Sequence, residues 1–182
     1  MSIAEEVKAK ADRWTALVNC ANEITTVACC PAGGGQGDGS QSASASLWLC
    51  SFVTACDAAF IQAERIGCIV TVGVGMKSEL VEVAERHTLH VLDELHEDLT
   101  PHLDSTAELI GRNLDAGRSV LVHCECGISR SPTVVAAFLV HRGLAADAED
   151  AVSMVKAARS CICPNAAFMG QLRDWADART SS

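Results

Sequence analysis

The stretch SVLVHCECGISRSPT, residues 119–133, joins two kinds of hydrophobic pattern. Ser119 to His123 is a short β-rich run with the composition of a buried strand. From Ser131-Pro132 onward the apolar spacing becomes helical, and proline suits the first helical turn, where its missing N–H costs nothing. Residues 124–130 must then form a tight loop between strand and helix. In such a loop successive backbone N–H groups turn inward as an anion nest, and the helix N-terminus adds its partial positive charge. Gly127 permits a sharp turn. Arg130 offers a planar fork that holds two oxygens of a phosphate. The pattern predicts a site for a tetrahedral dianion, lined by Glu125, Cys126, Gly127, Ile128, Ser129 and Arg130.

Cys124 opens this loop. The same N–H groups, helix dipole and arginine favour its thiolate over its thiol, and a thiolate aimed at phosphorus is a nucleophile. His123 adjoins Cys124 and points to the opposite face if the strand geometry persists. It is therefore expected to hold the loop through hydrogen bonds to backbone groups, not to act as a base. The plain alternative for Cys124 is a buried structural thiol, and the arginine, glycine and helix start at the needed spacing weigh against it.

His123-Cys124-x-x-Gly127-x-x-Arg130-Ser131 resembles the active-site loop of the cysteine-dependent protein phosphatases. The continuation Ser129-Arg130-Ser131-Pro132-Thr133 is similar to their dual-specificity branch, and the resemblance covers about residues 47–178. It implies a general acid on a loop roughly thirty residues before the cysteine, with an acidic or amide residue five positions later and then an aliphatic one. Asp93, Asp98 and Leu99 match, so Asp93 is the expected acid, with Glu94, Glu97 and Asp98 as competitors. The resemblance also implies that Ser131 helps the sulfur leave a phosphocysteine. It implies further that Asn165, within Pro164-Asn165-x-x-Phe168-x-x-Gln171-Leu172, braces the loop, a role compatible with capping the last helix. No metal or other cofactor is expected, because arginine and amides supply the electrostatic stabilisation. Phosphoinositide-selective relatives usually carry lysines in this loop, whereas Glu125 would repel a polyanionic head group. Cys50 stands where the family usually has glycine, and Cys126 raises a question of redox behaviour.

Outward from the loop, strand and helix patterns alternate. Leu47–Leu49, Cys68–Val74, Thr88–Leu92 and Ser119–His123 read as strands, and residues 55–65 as a helix. Ser105 and Glu108 suggest a capping box, Leu103, Ala107, Ile110 and Leu114 share a face, and Gly117 supplies the stop. Asp147 caps a segment to about Arg159, and Phe168, Leu172 and Trp175 align on a last helix. This is an α/β chain with a central, largely parallel sheet of about four or five strands flanked by helices, phosphatase-like. Upstream, residues 1–46 read as an amphipathic helix over 3–20 followed by a Gly/Ser-rich surface loop, with the catalytic domain over 47–182.

With 182 residues, 49% of them hydrophobic, the chain is long enough for one domain with a real core, and a net charge of −9 argues against nucleic-acid or anionic-membrane partners. The ten cysteines lack an evenly punctuated framework, and the first residues lack a secretory signal. The longest apolar run, Val134 to Val140, is too short to span a bilayer. Neither Cys29-Cys30 nor Cys161-x-Cys163 has the spacing of a strong zinc site. The expected protein acts in the cytoplasm, with nuclear entry left open, on a phosphorylated protein substrate; its oligomeric state is unread. Two alternatives stay open: a phosphate-binding module that recognises phosphorylated partners, and a phosphatase for a non-protein phosphomonoester. A sulfur-transferring enzyme also places a cysteine in an anion loop, but has no call on Asp93 or Ser131.

Overall fold

A computed structural model describes residues 22–27, 45–76 and 81–180. The helix expected over residues 3–20 and most of the Gly/Ser-rich segment lie outside these residues. The elements run β1 (Asn22–Val27), β2 (Ala45–Ser51), α1 (Phe52–Ala55), α2 (Ala58–Ala63), β3 (Ile66–Val72), β4 (Glu85–Leu89), α3 (Thr100–Asp115), β5 (Ser119–Cys124), α4 (Arg130–His141), α5 (Ala148–Ala158) and α6 (Ala166–Thr180). Among the described residues the sheet has five strands in the order β1-β2-β5-β3-β4. β2, β5, β3 and β4 are parallel, and β1 adds antiparallel to the edge at β2.

β5 is the central strand, and all six of its residues are buried, which is why Val120, Leu121 and Val122 follow one another without polar alternation. Register places Cys50 beside His123 and Ser51 beside Cys124 on one side, and Thr71 beside His123 on the other. Because four strands run parallel, their C-terminal ends lie together, and the turns after β2, β3, β4 and β5 converge there. The loop of residues 125–129 emerges at the middle of this edge.

Helix α4 follows that loop and passes through the larger core, with residues 130–139 all buried. A helix covered on every face cannot show an amphipathic stripe, and Val134–Val140 accordingly reads as an unbroken apolar run. Phe138 packs with Leu103, Ile110, Val122 and Phe168 in this core. A smaller cluster on the other face joins Ile61, Ile66, Ile69 and Leu121.

Several element boundaries differ from the sequence reading. β1 was not anticipated, since NEITTV beside a Gly/Ser-rich stretch carries little alternation, yet it ties residues before the expected boundary at 47 to the sheet. Helix α3 begins at Thr100 instead of near Ser105. Pro101 sits in its first turn, and Asp98 Oδ1 accepts from Thr100 N at 2.9 Å. The Ser105–Glu108 pair is thus helix interior, with Ser105 Oγ donating to His102 O. In place of one helix over residues 55–65 there are two short ones, α1 (Phe52–Ala55) and α2 (Ala58–Ala63), split where Asp57 Oδ1 accepts from the N–H groups of Ala59 and Phe60. β4 spans Glu85–Leu89 and so ends before Asp93, which leaves residues 90–99 as a loop over the convergent edge.

Phe138 is fully buried in the larger core. Phe138→Ala is expected to lower unfolding free energy by about 3–5 kcal/mol through loss of burial and the cavity left behind. Urea denaturation measures this, and a loss under about 1 kcal/mol would mean that α4 is not packed as described.

Candidate active site

The loop after β5 has four carbonyl oxygens turned outward, each to a separate N–H donor. Glu125 O accepts from Phe52 N at 2.9 Å, and Ile128 O from Cys163 N at 2.7 Å. Cys126 O and Gly127 O accept from Arg159, through Nη2 at 3.2 Å and Nε at 3.0 Å. In a trans peptide the N–H points opposite to the C=O, so fixing four carbonyls outward aims the amides of residues 126–129 inward. One of them is already engaged: Gly127 N donates to Cys124 Sγ at 3.2 Å. Gly127 has φ +68°, and a Cβ there would lie 2.5 Å from Cys50 O, so both backbone conformation and space require glycine.

Cys124 is buried at the centre, and its Sγ also accepts from Ser131 Oγ at 3.1 Å. Arg130, at the start of α4, is buried as well. Its Nη1 donates to Val91 O at 3.4 Å, its Nη2 stands 3.8 Å from Glu125 Oε2, and its Nε has no hydrogen-bond partner. The carboxylate it faces, Asp93 Oδ2, is at 3.7 Å. A buried guanidinium N–H without a hydrogen bond is a costly group unless an anion completes it.

Asp93 lies over the loop from the β4 side. Its Oδ1 accepts from Ser129 Oγ at 2.7 Å and from Asn165 Nδ2 at 2.9 Å. Ser129 Oγ in turn accepts from Asn165 N at 3.1 Å, and Asn165 Oδ1 caps α6 by accepting from Phe168 N. The competing carboxylates are engaged locally. Glu97 Oε2 accepts from Leu92 N, Asp98 Oδ1 from Thr100 N, and Glu94 pairs with His96. Gln171 anchors this loop to α6, accepting from Leu99 N at 2.8 Å and donating to Glu97 O at 2.7 Å. The structure thus gathers Asp93, Cys124, Ser129, Arg130, Ser131 and Asn165 at one point, and Glu94, Glu97 and Asp98 turn to other partners.

His123 sits beneath the loop. Its Nδ1 is 3.3 Å from Cys124 O, which can only accept, so Nδ1 carries the proton and Nε2 accepts from Thr71 Oγ1 at 2.8 Å. Burial pulls the imidazole pKa down to about 4, with the Cys124 carbonyl bond opposing that shift. The neutral ring is satisfied at both nitrogens. Burial, followed by the Cys124 and Glu125 charges, pushes the Cys126 thiol up.

Arg159 is the residue that sequence reasoning missed. It is 2% exposed at the end of α5 and clamps two loop carbonyls. A lone arginine between an amphipathic helix and a Pro-Asn turn reads as a solvated charge, and no local spacing connects it with Gly127, 32 positions away.

Comparison with known proteins places the chain in a family. Residues 47–178 match the family model described as dual specificity phosphatase, catalytic domain. Mouse dual specificity protein phosphatase 19 is 31% identical over 129 residues, 71% of this chain and 58% of that protein. Caenorhabditis elegans tyrosine-protein phosphatase vhp-1 is 28% identical over 141 residues, 76% of this chain. The match spans only 21% of the length of vhp-1. The crystal structure of human DUSP28 superposes with a TM-score of 0.70 at 30% identity, covering 74% of this chain and 90% of that one.

Two outcomes are expected from this geometry. Arg159→Leu frees two loop carbonyls and should weaken inorganic-phosphate binding by about tenfold, as displacement does at preorganised sites. Calorimetric titration of phosphate reads this, and an unchanged affinity would leave Arg159 a stabilising role only. The second concerns His123. Its folded pKa is depressed, so the unfolded chain binds more protons below the ordinary histidine value, and the associated stability is present at neutral pH. That stability, on the order of 3 kcal/mol, is lost as pH falls from about 6.5 towards 4. The gap in unfolding free energy between the natural chain and His123→Asn should therefore narrow over that window, and a constant gap would contradict the buried neutral ring.

Proposed function

The chain belongs to the dual-specificity phosphatase family, and on that footing we propose that it hydrolyses phosphotyrosine, phosphoserine and phosphothreonine monoesters of proteins through a phosphocysteine intermediate. One observation carries the reading: Cys124 Sγ receives hydrogen bonds from Gly127 N and Ser131 Oγ inside a ring of inward amides, beside the buried Arg130 whose Nε has no hydrogen bond. The vacant donors and the nucleophile address the same small volume.

In the first step the phosphate oxygens bind the amides and the Arg130 fork, and the Cys124 thiolate attacks phosphorus in line. As the phosphorus–oxygen bond breaks, Asp93 gives its proton to the leaving oxygen. Ser129 and Asn165 both donate to Oδ1, so Oδ2 is the oxygen left to carry that proton. In the second step a water attacks phosphorus, ionised Asp93 takes its proton, and the sulfur–phosphorus bond breaks. The Ser131 hydroxyl stabilises the departing thiolate by donating to it. Throughout, charge on the transferred group is met by donors that are already aligned.

Turnover of a small aryl phosphate tests the assignment. Cys124→Ser should abolish turnover while phosphate still binds, and substantial residual activity would remove Cys124 as nucleophile. Asp93→Asn should cost about 10²-fold with a poor leaving group and less with a good one. Equal rates for the variant and the natural chain on both would move the acid elsewhere. Rates on phosphotyrosine and phosphothreonine peptides then separate single from dual specificity.

A further inference from the structure

We propose that Glu125 is a specificity-determining residue of the phosphate site, selecting phosphorylated segments with a lysine or arginine next to the phosphorylated residue. The inference rests on the phosphatase reading above and deepens it to a substrate class.

The position of Glu125 is fixed from behind. Its carbonyl is held by Phe52 N, while its side chain is 75% exposed and its Oε2 stands 3.8 Å from Arg130 Nη2. The carboxylate is therefore exposed at the mouth of the loop, beside the guanidinium that a phosphate must reach. Asp93 stands at a similar distance on the other flank of Arg130, at 3.7 Å from Nε. A dianion seated on Arg130 lies close to Glu125, and the two repel through a partly desolvated space. A cation on the substrate backbone next to the phosphorylated residue relieves that repulsion by pairing with Glu125.

Among the described residues, the surrounding turns carry more negative than positive charge. Among the described residues of segments 51–57, 73–76, 90–99 and 125–130, Arg130 is the only lysine or arginine, against Asp57, Asp93, Glu94, Glu97, Asp98 and Glu125. Arg159 is buried and committed to loop carbonyls. The same edge exposes apolar side chains, Val53 in α1 and Val74, Leu92 and Leu95 in the turns after β3 and β4. The mouth thus combines an acidic lip with apolar seats, and its complement is a phosphorylated segment of basic and apolar residues. An acidic segment or a polyphosphorylated head group meets like charge there.

The test uses two phosphotyrosine peptides that differ only in the residues flanking the phosphotyrosine, arginine in one and glutamate in the other. The natural chain should favour the arginine peptide by about fivefold in kcat/KM, the scale of one partly exposed ion pair. Glu125→Gln should bring that ratio close to one, and Glu125→Lys should invert it. The ratio within each variant is the readout, so a change in overall rate does not affect it. The same two peptides titrated against Cys124→Ser by fluorescence anisotropy should give the same ratio in Kd without turnover. Absence of hydrolysis in the natural chain would therefore count against the phosphatase reading, while the binding ratio still decides the selectivity. A ratio of one or less in the natural chain would overturn the proposal, as would a preference that survives in Glu125→Gln. Equally tight binding of the unphosphorylated arginine peptide would also overturn it, by assigning the attraction to the net charge of −9.

Discussion

The outward anchoring of four loop carbonyls is the constraint on which the site depends. A loop of residues 125–129 left to itself would turn some amides to solvent and some carbonyls to the ligand, and an anion would find mixed charge. Here Phe52 N, Cys163 N and the Arg159 guanidinium hold the oxygens away from the centre. The inward amides are a consequence of peptide planarity. Burying Arg159 costs several kcal/mol of desolvation by the usual estimates for a buried ion, offset only where its donors are satisfied. The loop carbonyls do that, so the arginine and the loop each require the other.

The loop of residues 90–99 is held by a separate set of bonds that meets the first at Ser129. This residue belongs to the phosphate loop by sequence, donates to Asp93, and accepts from Asn165 N. Asn165 joins the same carboxylate to the N-terminus of α6, and Gln171 ties the loop backbone to that helix. Three segments distant in sequence are thereby locked at one oxygen atom. The arrangement positions one Asp93 oxygen and leaves the other towards Arg130, as the proton transfers proposed for Asp93 require.

Much of this was legible beforehand, for a definable reason. Strand β5, its loop and helix α4 are contiguous, so the change from β-rich run to helical period, with Gly127 and Arg130 between, sits within fifteen residues. The Asp147 and Asn165 caps were visible because capping is a local exchange between a side chain and N–H groups two or three positions on. The start of α3 was not, because Ser105-x-x-Glu108 has the composition of a cap but lies where Pro101 had already begun the helix. Strand β1 escaped because an edge strand with weak alternation gains its order from β2, whose paired residues lie 18 to 27 positions away.

Sequence alone determined the chemistry on offer: a cysteine, a glycine and an arginine at the spacing of a strand-loop-helix, with Asp93 singled out by resemblance. Tertiary structure decided which groups act on that loop. Arg159, Thr71, Cys163 and Phe52 carry no motif: Arg159, Cys163 and Phe52 meet the loop and Thr71 meets His123 beneath it, each through a contact whose partner is tens of residues distant. It also separated Asp93 from Glu94, Glu97 and Asp98, which composition could not do, since four carboxylates on one loop are chemically alike until their partners are known. The division follows from range: covalent neighbours set local conformation, whereas the environment of a buried charge depends on everything the fold packs around it.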